Sequence, residues 1–245
     1  MTAFDQQCFS LAEMQKINLH QTDAAKMEIW DHPHRPGFMF QQYRDVDENK
    51  VTAYEALAVL KNADGSALAN NIYFDRLRDM PSEWQVKADK FLVPLAIAAA
   101  VEKKRLPVAV NVHLSSLCEP EFLALVDDLI DTKALKKGDV MFEIVEPHVP
   151  TREQVRCLEK ISSRLIGDKG YVLIIDDHDF EIGEDRLEGL APVCDMVKID
   201  MKDAKPGVEI LKSRFSHLSI VVERVTFNDR ENIFANYPGV LTQGI

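Results

Sequence analysis

The sequence has little of what marks a secreted or zinc-binding protein. Its 245 residues include only four cysteines, and none forms a C-x-x-C pair or lies at a zinc-ligand spacing from a histidine. The N-terminal segment lacks the basic and then apolar pattern of a secretory signal. These absences favour a reducing compartment. We therefore expect a cytoplasmic protein whose cysteines are ordinary core or surface residues.

The sequence also lacks a long basic run and a long apolar run. Its formal net charge is −11, and such a chain repels a nucleic-acid backbone unless a basic patch or bound cations intervene. The longest strongly apolar run, residues 91–101, is too short to span a bilayer. We therefore expect neither polymeric nucleic acid as a partner nor a membrane span in this chain.

Apolar, β-branched runs recur along the chain, and helix-like stretches separate most of them. The eight runs are FMFQQY, VTAYEAL, PVAVNV, VMFEIVE, YVLIID, MVKID, SIVVE and VLTQG. Strands that alternate with helical periods are typical of parallel β/α units. Eight such strands favour a closed barrel over an open sheet. The pattern thus predicts the α/β class and a TIM-like (β/α)8 barrel.

The two ends of the chain differ from this repeating pattern. Residues 1–35 are predicted to form an N-terminal helical extension, because they are amphipathic until the segment DHPHRPG breaks the pattern. That segment could equally lead into the first strand. The barrel is predicted over residues 36–245. Since the chain stops two residues after Gln243, we expect the last barrel helix to be absent or truncated.

Polar side chains end seven of these runs. In a β/α barrel the carboxyl ends of the strands open on one face, where the chemistry takes place. One run ending in an acid means little, but seven polar ends in succession are not explained by turn chemistry. The residues are Glu55, Asn111, Glu143, Asp176, Lys198, Glu223 and Gln243. We therefore predict a functional site at this face.

Side-chain alternation refines the prediction for single strands. Lys198 and Asp200 are two residues apart, so a strand places both on one face. Glu143 and Glu146 are three apart and would face opposite ways. We assign Glu143 to the barrel mouth and Glu146 to the loop above it. His113 is expected to be a packed or solvated residue, since a lone histidine is seldom a ligand.

Several acids gathered in a small volume need raised pKa values or a counter-cation. The acids predicted to meet are Glu55, Glu143, Asp176, Asp177 and Glu223. Carboxylate and amide oxygens favour Mg²⁺, Mn²⁺ or Ca²⁺. This number of acids allows two ions roughly 3.5–4 Å apart, with Asp176 as the natural bridge.

A site of this kind suits phosphodiester hydrolysis, because metal ions polarise phosphate oxygens and activate a water. Lys198 beside the ions could orient that water or neutralise charge on the phosphate. Alternatively, Lys198 has a purely structural role and forms an ion pair with Asp200 or a neighbouring acid.

The same motifs, taken in order, resemble the EAL family of cyclic di-GMP phosphodiesterases. YEAL is similar to the family signature, and the upstream segment matches its opening glutamine at Gln41 and aspartate at Asp45. AVNVHLSSL resembles V-N-x-S, FEIVE resembles E-x-x-E, and IIDDHD resembles the start of D-D-F-G-T-G. VKID matches fully, VVERVT resembles A-E-G-V-E, and TQG matches the final Q-G. The resemblance runs from about Phe38 to the end of the chain.

This resemblance implies a metal-dependent phosphodiesterase that hydrolyses cyclic di-GMP to linear pGpG with one or two Mg²⁺ or Mn²⁺ ions. The implied metal ligands are Glu55, Asn111, Glu143, Asp176, Asp177 and Glu223. The implied catalytic residues are Lys198, which assists the water, Glu223 as general base, and Asp177. Support of the substrate or its loops is implied for Gln41, Glu146, Asp200 and Gln243. Because Glu146 would brace a loop that helps relatives dimerise, a homodimer through the barrel rim is also implied.

Some positions depart from the family pattern. Val59 replaces an arginine that contacts the ligand phosphate, HDFEIG replaces the glycine-rich part of D-D-F-G-T-G, and Arg224 replaces a glycine. The positive charge lost at Val59 could come from Arg44, Arg76 or Arg224. These departures leave three hypotheses open. The first is a phosphodiesterase, at reduced activity; the second is a catalytically inactive EAL domain that serves as a cyclic di-GMP receptor or protein-interaction module. The third is an unrelated metal-dependent barrel hydrolase. The intact set of implied metal ligands favours the first.

Overall fold

The computed structural model describes residues 7–8, 35–61, 77, 80–145, 148–181, 183–226, 229 and 237–244. Of the predicted N-terminal helical extension, these include Gln7–Cys8 and Arg35. Gln7–Cys8 is a short strand that pairs antiparallel with Gly37 and Phe38. The remainder of that prediction lies outside the described residues.

The described strands form one sheet that closes on itself. They are β1 Gln7–Cys8, β2 Arg35–Asp45, β3 Val51–Lys61, β4 Val108–Val112, β5 Val140–Ile144, β6 Val172–His178, β7 Met196–Asp200, β8 Ser219–Val225 and β9 Leu241–Gly244. Neighbours in sequence are neighbours in the sheet, and β2 also pairs with β9. Strands β2 to β9 therefore form a closed eight-stranded barrel, which confirms the predicted fold class.

Helices surround this barrel. They are α1 Ser82–Lys103, α2 Leu114–Leu117, α3 Pro120–Thr132, α4 Arg152–Glu159, α5 Ser163–Ile166, α6 Glu184–Leu190 and α7 Ala204–Arg214. Local sequence explains two of their starts. Proline occupies the first position of α3, where its missing N–H costs nothing, and Thr151 and Gln154 form a capping box on α4. Within the described part of the chain, no helix is both long and apolar enough to cross a membrane.

One strand departs from the parallel pattern that the sequence predicts. Strand β2 runs antiparallel to both of its barrel neighbours, β3 and β9. The cause is the short connection between β2 and β3, residues 46–50, because a parallel pair needs a crossover of about a dozen residues. As a result, the amino-terminal half of β2 lies beside the carboxyl-terminal half of β3, at the rim where the other strands end.

The barrel interior is built in layers. An apolar layer consists of Tyr43, Ala53, Ala109, Met141, Ile174, Met196 and Val221, with Val172 and Leu241 packed against it. A larger apolar core fills the space between the strands and helices, with aromatic contacts such as Phe142 on Tyr171 at 4.7 Å between ring centroids. Side chains two residues apart on a strand share a face. The residues two positions from the inner apolar layer, towards the rim, therefore point inward and form the next layer.

Candidate active site

Each of the eight barrel strands contributes one polar side chain to this next layer, which we call the polar layer. Its members are Gln41, Glu55, Asn111, Glu143, Asp176, Lys198, Glu223 and Gln243. All seven polar strand ends identified in the sequence therefore lie on the inner face of the barrel, at the rim. Because β2 runs antiparallel to its neighbours, its polar-layer residue Gln41 precedes the apolar Tyr43 in sequence. On the other strands the polar-layer residue follows the apolar one.

Lys198 lies at the centre of the polar layer and is only 1% exposed. Its Nζ lies 2.8 Å from Glu143, 2.8 Å from Asp176, 2.9 Å from Glu223 and 3.1 Å from Glu55. Burial alone would lower the pKa of Lys198, but the surrounding carboxylates raise it well above its ordinary value. Lys198 is therefore a fixed positive charge. The sequence left two kinds of ion-pair partner for Lys198, Asp200 or a neighbouring acid. In the structure Lys198 pairs with the neighbouring acids, and Asp200 pairs with Arg224 instead.

Glu55 and Glu143 are held by neutral donors as well as by Lys198. Glu143 Oε1 accepts a hydrogen bond from the Tyr43 hydroxyl, and Glu143 is 0% exposed. Glu55 accepts from Asn111 Nδ2 at 2.9 Å and from Gln243 Nε2. Tyr43 was not predicted as a site residue from the sequence. The sequence does contain a signal for Tyr43, which is two residues from Gln41 and therefore on the same strand face. A tyrosine buried there needs a hydrogen-bond partner for its hydroxyl.

The acids of the polar layer have shifted pKa values. Burial raises the pKa of Glu143 well above its usual range, and repulsion from Glu55 adds to the shift. Burial also raises the pKa of Asp176, and it raises that of Glu223 to about 7. For Glu55 burial is outweighed by Lys198 and its amide donors, so the pKa is lowered. These shifts reflect four carboxylates that share one ammonium group, an arrangement that favours a further cation.

Three carboxylates at the rim have the donor chemistry of a divalent-cation site. Oxygen atoms of Asp176, Asp177 and Glu223 all lie within 4.8 Å of one another. The Asp176 Oδ1 atom is buried and has no aligned hydrogen-bond donor, although it is close to Lys198. Asp177 is exposed and has a φ of +46°, in the left-handed region. Carboxylate oxygens suit Mg²⁺, Mn²⁺ or Ca²⁺, so these residues fit such an ion.

The loop after Asp177 is stabilised by aromatic packing rather than by glycines. The ring of His178 meets that of Phe180 edge-on, with centroids 4.5 Å apart. Phe180 in turn packs on Gly207 of α7, where an added Cβ would lie 2.5 Å from the Phe180 ring. Burial, together with Arg186, lowers the pKa of His178 to about 4. The segment HDFEIG, which stands where the family motif is rich in glycine, is therefore held in place by these packing contacts.

Arg186 of α6 connects the ends of two strands that carry polar-layer residues. Its Nη1 donates to the Asp176 carbonyl at 2.8 Å, and its Nη2 donates to the Ile144 carbonyl at 2.7 Å. The last paired residues of β5 and β6 are Ile144 and Ile175, so Arg186 connects the two strands where their ladder stops. No local signal in the sequence indicates this role, because the partners are distant backbone atoms.

A cavity of about 720 Å³ opens above the polar layer. Its other wall is apolar and comes from β2, β3 and α1, with Phe38, Leu57, Leu92 and Val93 among its residues. This volume lies within the range of about 300–1,000 Å³ that small-molecule sites occupy. His113 borders the cavity and is packed, as expected, with its backbone N–H donating to Asp89 at 2.8 Å.

The three arginines considered as replacements at Val59 differ in position. Arg224 lines the cavity, has a φ of +57°, and donates to Asp200 at 2.6 Å. Arg44 donates to Asn49 and Gln42 instead and does not line the cavity. Arg76 lies outside the described residues, as does Glu146. Arg224 is therefore the described arginine that could meet a ligand there.

The closed α/β barrel, with an acidic layer and a cavity at the strand ends, places this chain in the class of α/β-barrel proteins whose functional site lies at the barrel rim. Comparison with known protein families identifies the family within this class. The EAL domain model matches residues 34–206, and the chain belongs to the EAL domain family. This match confirms the resemblance inferred from the motifs. No curated protein sequence matches the chain.

Solved structures of EAL proteins have the same fold. The EAL enzyme Bd1971, in its cAMP-bound form, is 15% identical with a TM-score of 0.62, covering 96% of this chain and 66% of that one. The Bacillus subtilis YkuI protein, in complex with substrate c-di-GMP and calcium, is 19% identical with a TM-score of 0.63, covering 84% and 53%. Klebsiella pneumoniae BlrP1, in a manganese and c-di-GMP complex, is 18% identical with a TM-score of 0.61, covering 85% and 54%. The chain thus spans about one half to two thirds of these proteins, and the likeness shows the fold alone.

Proposed function

We propose that this chain is a cyclic di-GMP phosphodiesterase that hydrolyses the cyclic dinucleotide to linear pGpG at a divalent-metal site. The observation that carries the proposal is the polar layer, in which Lys198 and four carboxylates meet beneath a cavity at the barrel rim. Family membership supports the ligand, since the YkuI and BlrP1 structures contain c-di-GMP with calcium or manganese.

Asp176, Asp177 and Glu223 would hold the cation, with Mg²⁺ or Mn²⁺ as the expected ion. Such an ion, when bound, polarises phosphate oxygens and lowers the pKa of a bound water. Around it, this chain supplies a fixed charge and a binding surface. Lys198 offsets part of the acidic charge that would otherwise repel a phosphodiester, and the apolar wall of the cavity would cover a nucleobase.

Arg224 would contact a phosphate of the ligand from the rim. It lines the cavity, and its side chain is 74% exposed even though one nitrogen contacts Asp200. An arginine suits phosphate because its planar fork can donate two hydrogen bonds. The residue therefore compensates for Val59, which is 4% exposed and does not line the cavity.

Product formation with a lysine variant tests the proposal. With cyclic di-GMP and Mn²⁺, the native chain should form pGpG, and Lys198→Ala should lower the rate by roughly 100-fold or more, as does the loss of other electrostatic groups. The matched control is Lys202→Ala, since Lys202 is exposed just beyond the same strand. Native chain without product, or an unchanged rate in Lys198→Ala, would contradict the proposal.

A second candidate function is a cyclic di-GMP receptor, or a protein-interaction module, without turnover. The observation that favours it is the enclosure of Lys198, whose nitrogen is already surrounded by carboxylates. In the same assay, tight binding without product would support the receptor. The homodimer through the barrel rim stays a prediction, which analytical ultracentrifugation with and without ligand would test.

A further inference from the structure

A buried group of polar side chains lies beside the polar layer and takes no part in the chemistry proposed above. It consists of Asp89 on α1 together with His113 and Ser116, which lie in the segment after β4. We propose that His113, held in place by Asp89, contacts the ligand and accepts a hydrogen bond from its guanine base. This inference rests on the ligand of the proposed function, because it assigns base recognition within the same cavity.

Asp89 is a buried acid on the face of α1 that lines the cavity. It is 3% exposed, and Leu92 and Val93, one helical turn further on, belong to the apolar wall. An unpaired carboxylate in such a place would be costly. The Oδ2 atom of Asp89 accepts from the His113 backbone N–H at 2.8 Å and from the Ser116 hydroxyl at 2.6 Å. The carboxylate therefore fixes the segment after β4 to α1.

The imidazole ring of His113 is oriented by the same carboxylate. Its Nδ1 atom lies 3.1 Å from both carboxylate oxygens of Asp89. Because that carboxylate accepts hydrogen bonds from two other donors, Nδ1 is the protonated nitrogen, and Nε2 of the neutral ring is an acceptor. A carboxylate partner at Nδ1 also makes Nε2 more basic. Asp89 is therefore a positioning residue that fixes both the tautomer and the orientation of the ring.

His113 lies one step above the polar layer. Its backbone is extended, with a φ of −85° and a ψ of 146°, so its side chain leaves the chain on the same side as that of Asn111, two residues earlier. Both residues line the cavity, as does Asp89. Asn111 donates to Glu55 in the polar layer, whereas Asp89 belongs to the wall formed by α1. The His113 ring therefore lies where the charged floor of the cavity meets its apolar wall.

This position suits the pairing edge of a guanine base. A nucleobase covered by the apolar wall would place its polar edge at the border of that wall, where His113 lies. Guanine has two adjacent donors on that edge, N1–H and the 2-amino group, whereas adenine has an acceptor nitrogen beside its single amino group. An accepting ring nitrogen backed by a carboxylate attracts donors and repels an acceptor. His113 should therefore favour guanine over adenine.

Base preference tests this inference without measuring turnover. In calorimetry with Ca²⁺, the full native chain should bind cyclic di-GMP at least roughly tenfold more tightly than cyclic di-AMP, and His113→Asn should lower this preference roughly tenfold, the effect of about one hydrogen bond. The asparagine keeps an N–H at the place of Nδ1, and hence the contact with Asp89, but has no group at the place of Nε2. A purely structural His113 would therefore leave the preference of His113→Asn at its native value.

The matched control is His217→Asn, which should keep the native preference. His217 Nε2 donates to the Ala191 carbonyl at 2.9 Å, and His217 is not among the described residues that line the cavity. A second variant, Asp89→Asn, removes the carboxylate that holds the proton on Nδ1 and should lower the preference several-fold. Circular dichroism checks that each variant folds.

Equal affinity of the native chain for the two dinucleotides would overturn the inference whether or not the variants fold. A native preference in folded His113→Asn would overturn it as well. Loss of preference in His113→Asn, without pGpG formation by the native chain, would contradict only the proposed hydrolysis. Formation of pGpG with an unchanged preference in His113→Asn would contradict only this inference.

Discussion

Lys198 has one positive charge among four carboxylates, in a position that water hardly reaches. Breaking a buried ion pair by removing one partner commonly costs about 3–5 kcal/mol, because the other charge is left unpaired. Removing the Lys198 ammonium group would therefore destabilise the barrel as well as change the charge of the site. For that reason the rate of Lys198→Ala must be measured on protein whose folding has been checked by thermal unfolding.

The Tyr43 hydroxyl should contribute to stability more than a tyrosine hydroxyl that is bonded to a part-exposed carboxylate. Tyr43→Phe removes a hydrogen bond to a fully buried carboxylate, and hydrogen bonds to charged groups contribute about 1.5–3 kcal/mol. We therefore expect the free energy of unfolding to fall by about 2 kcal/mol in urea denaturation. The matched control is Tyr171→Phe, because Tyr171 donates to Asp127, which is part-exposed. A loss in Tyr43→Phe no larger than in the control would refute this account of Glu143.

Arg224 should contribute to ligand affinity at little cost in stability. Arg224→Gly removes the guanidinium but relieves a left-handed backbone conformation, which costs a non-glycine residue roughly 1 kcal/mol. The lost ion pair with Asp200 is exposed and contributes less than about 1 kcal/mol. We expect the Kd for cyclic di-GMP to rise by roughly tenfold, as for the loss of one charge-assisted contact, while the melting temperature stays close to native. Lys202→Ala, at an exposed residue that does not line the cavity, is the control and should leave the affinity nearly unchanged. Equal affinity in Arg224→Gly would remove Arg224 from the binding surface.

The reversed strand β2 determines how the barrel closes. Its ladder with β9 has only two residue pairs, Arg44 with Thr242 and Asp45 with Leu241, away from the rim. Nearer the rim, a side-chain bond from Gln243 to Gln41 at 2.8 Å crosses the same seam. Gln243 also donates to Glu55, so closure of the barrel and placement of Glu55 depend on the same side chain.

The guanidinium of Arg186 should hold the ends of β5 and β6 together. Arg186→Met keeps much of the side-chain volume but leaves the carbonyls of Ile144 and Asp176 without this donor. Because hydrogen bonds to charged groups contribute about 1.5–3 kcal/mol each, we expect the free energy of unfolding to fall by about 3 kcal/mol. Arg214→Met is the control, since Arg214 pairs with Glu184 and Glu188 on the surface and should cost under about 1 kcal/mol. Similar melting temperatures for the two variants would contradict this role.

The barrel and its rim could be predicted from the sequence because they follow from local patterns. Eight apolar runs with alternating helices favour a closed barrel, and the polar strand ends identified Glu55, Lys198 and five more of the eight layer residues. The eighth, Gln41, came from the family resemblance. The reversal of β2 was not predicted, although the short 46–50 connection was visible in the sequence. Tyr43 and Arg186 were missed because their partners, Glu143 and the carbonyls of Ile144 and Asp176, are distant in sequence and meet only in the folded barrel.

The net charge of −11 and the acidic layer have one joint consequence for a ligand with two phosphates. Such a ligand is repelled by the site unless a cation mediates the contact. Binding of the dinucleotide should therefore be coupled to binding of the cation, by a factor typical of linked sites, roughly 5–150-fold.

The most direct test measures cyclic di-GMP binding by calorimetry in Ca²⁺ and in EDTA, for the native chain and for Asp177→Asn. Calcium is the chosen ion because the YkuI complex contains it together with the dinucleotide. We expect Ca²⁺ to tighten binding to the native chain by roughly tenfold or more, and Asp177→Asn to lose most of this gain. Equal affinity in Ca²⁺ and EDTA would contradict a site in which strand-end carboxylates bind the ligand through a metal ion.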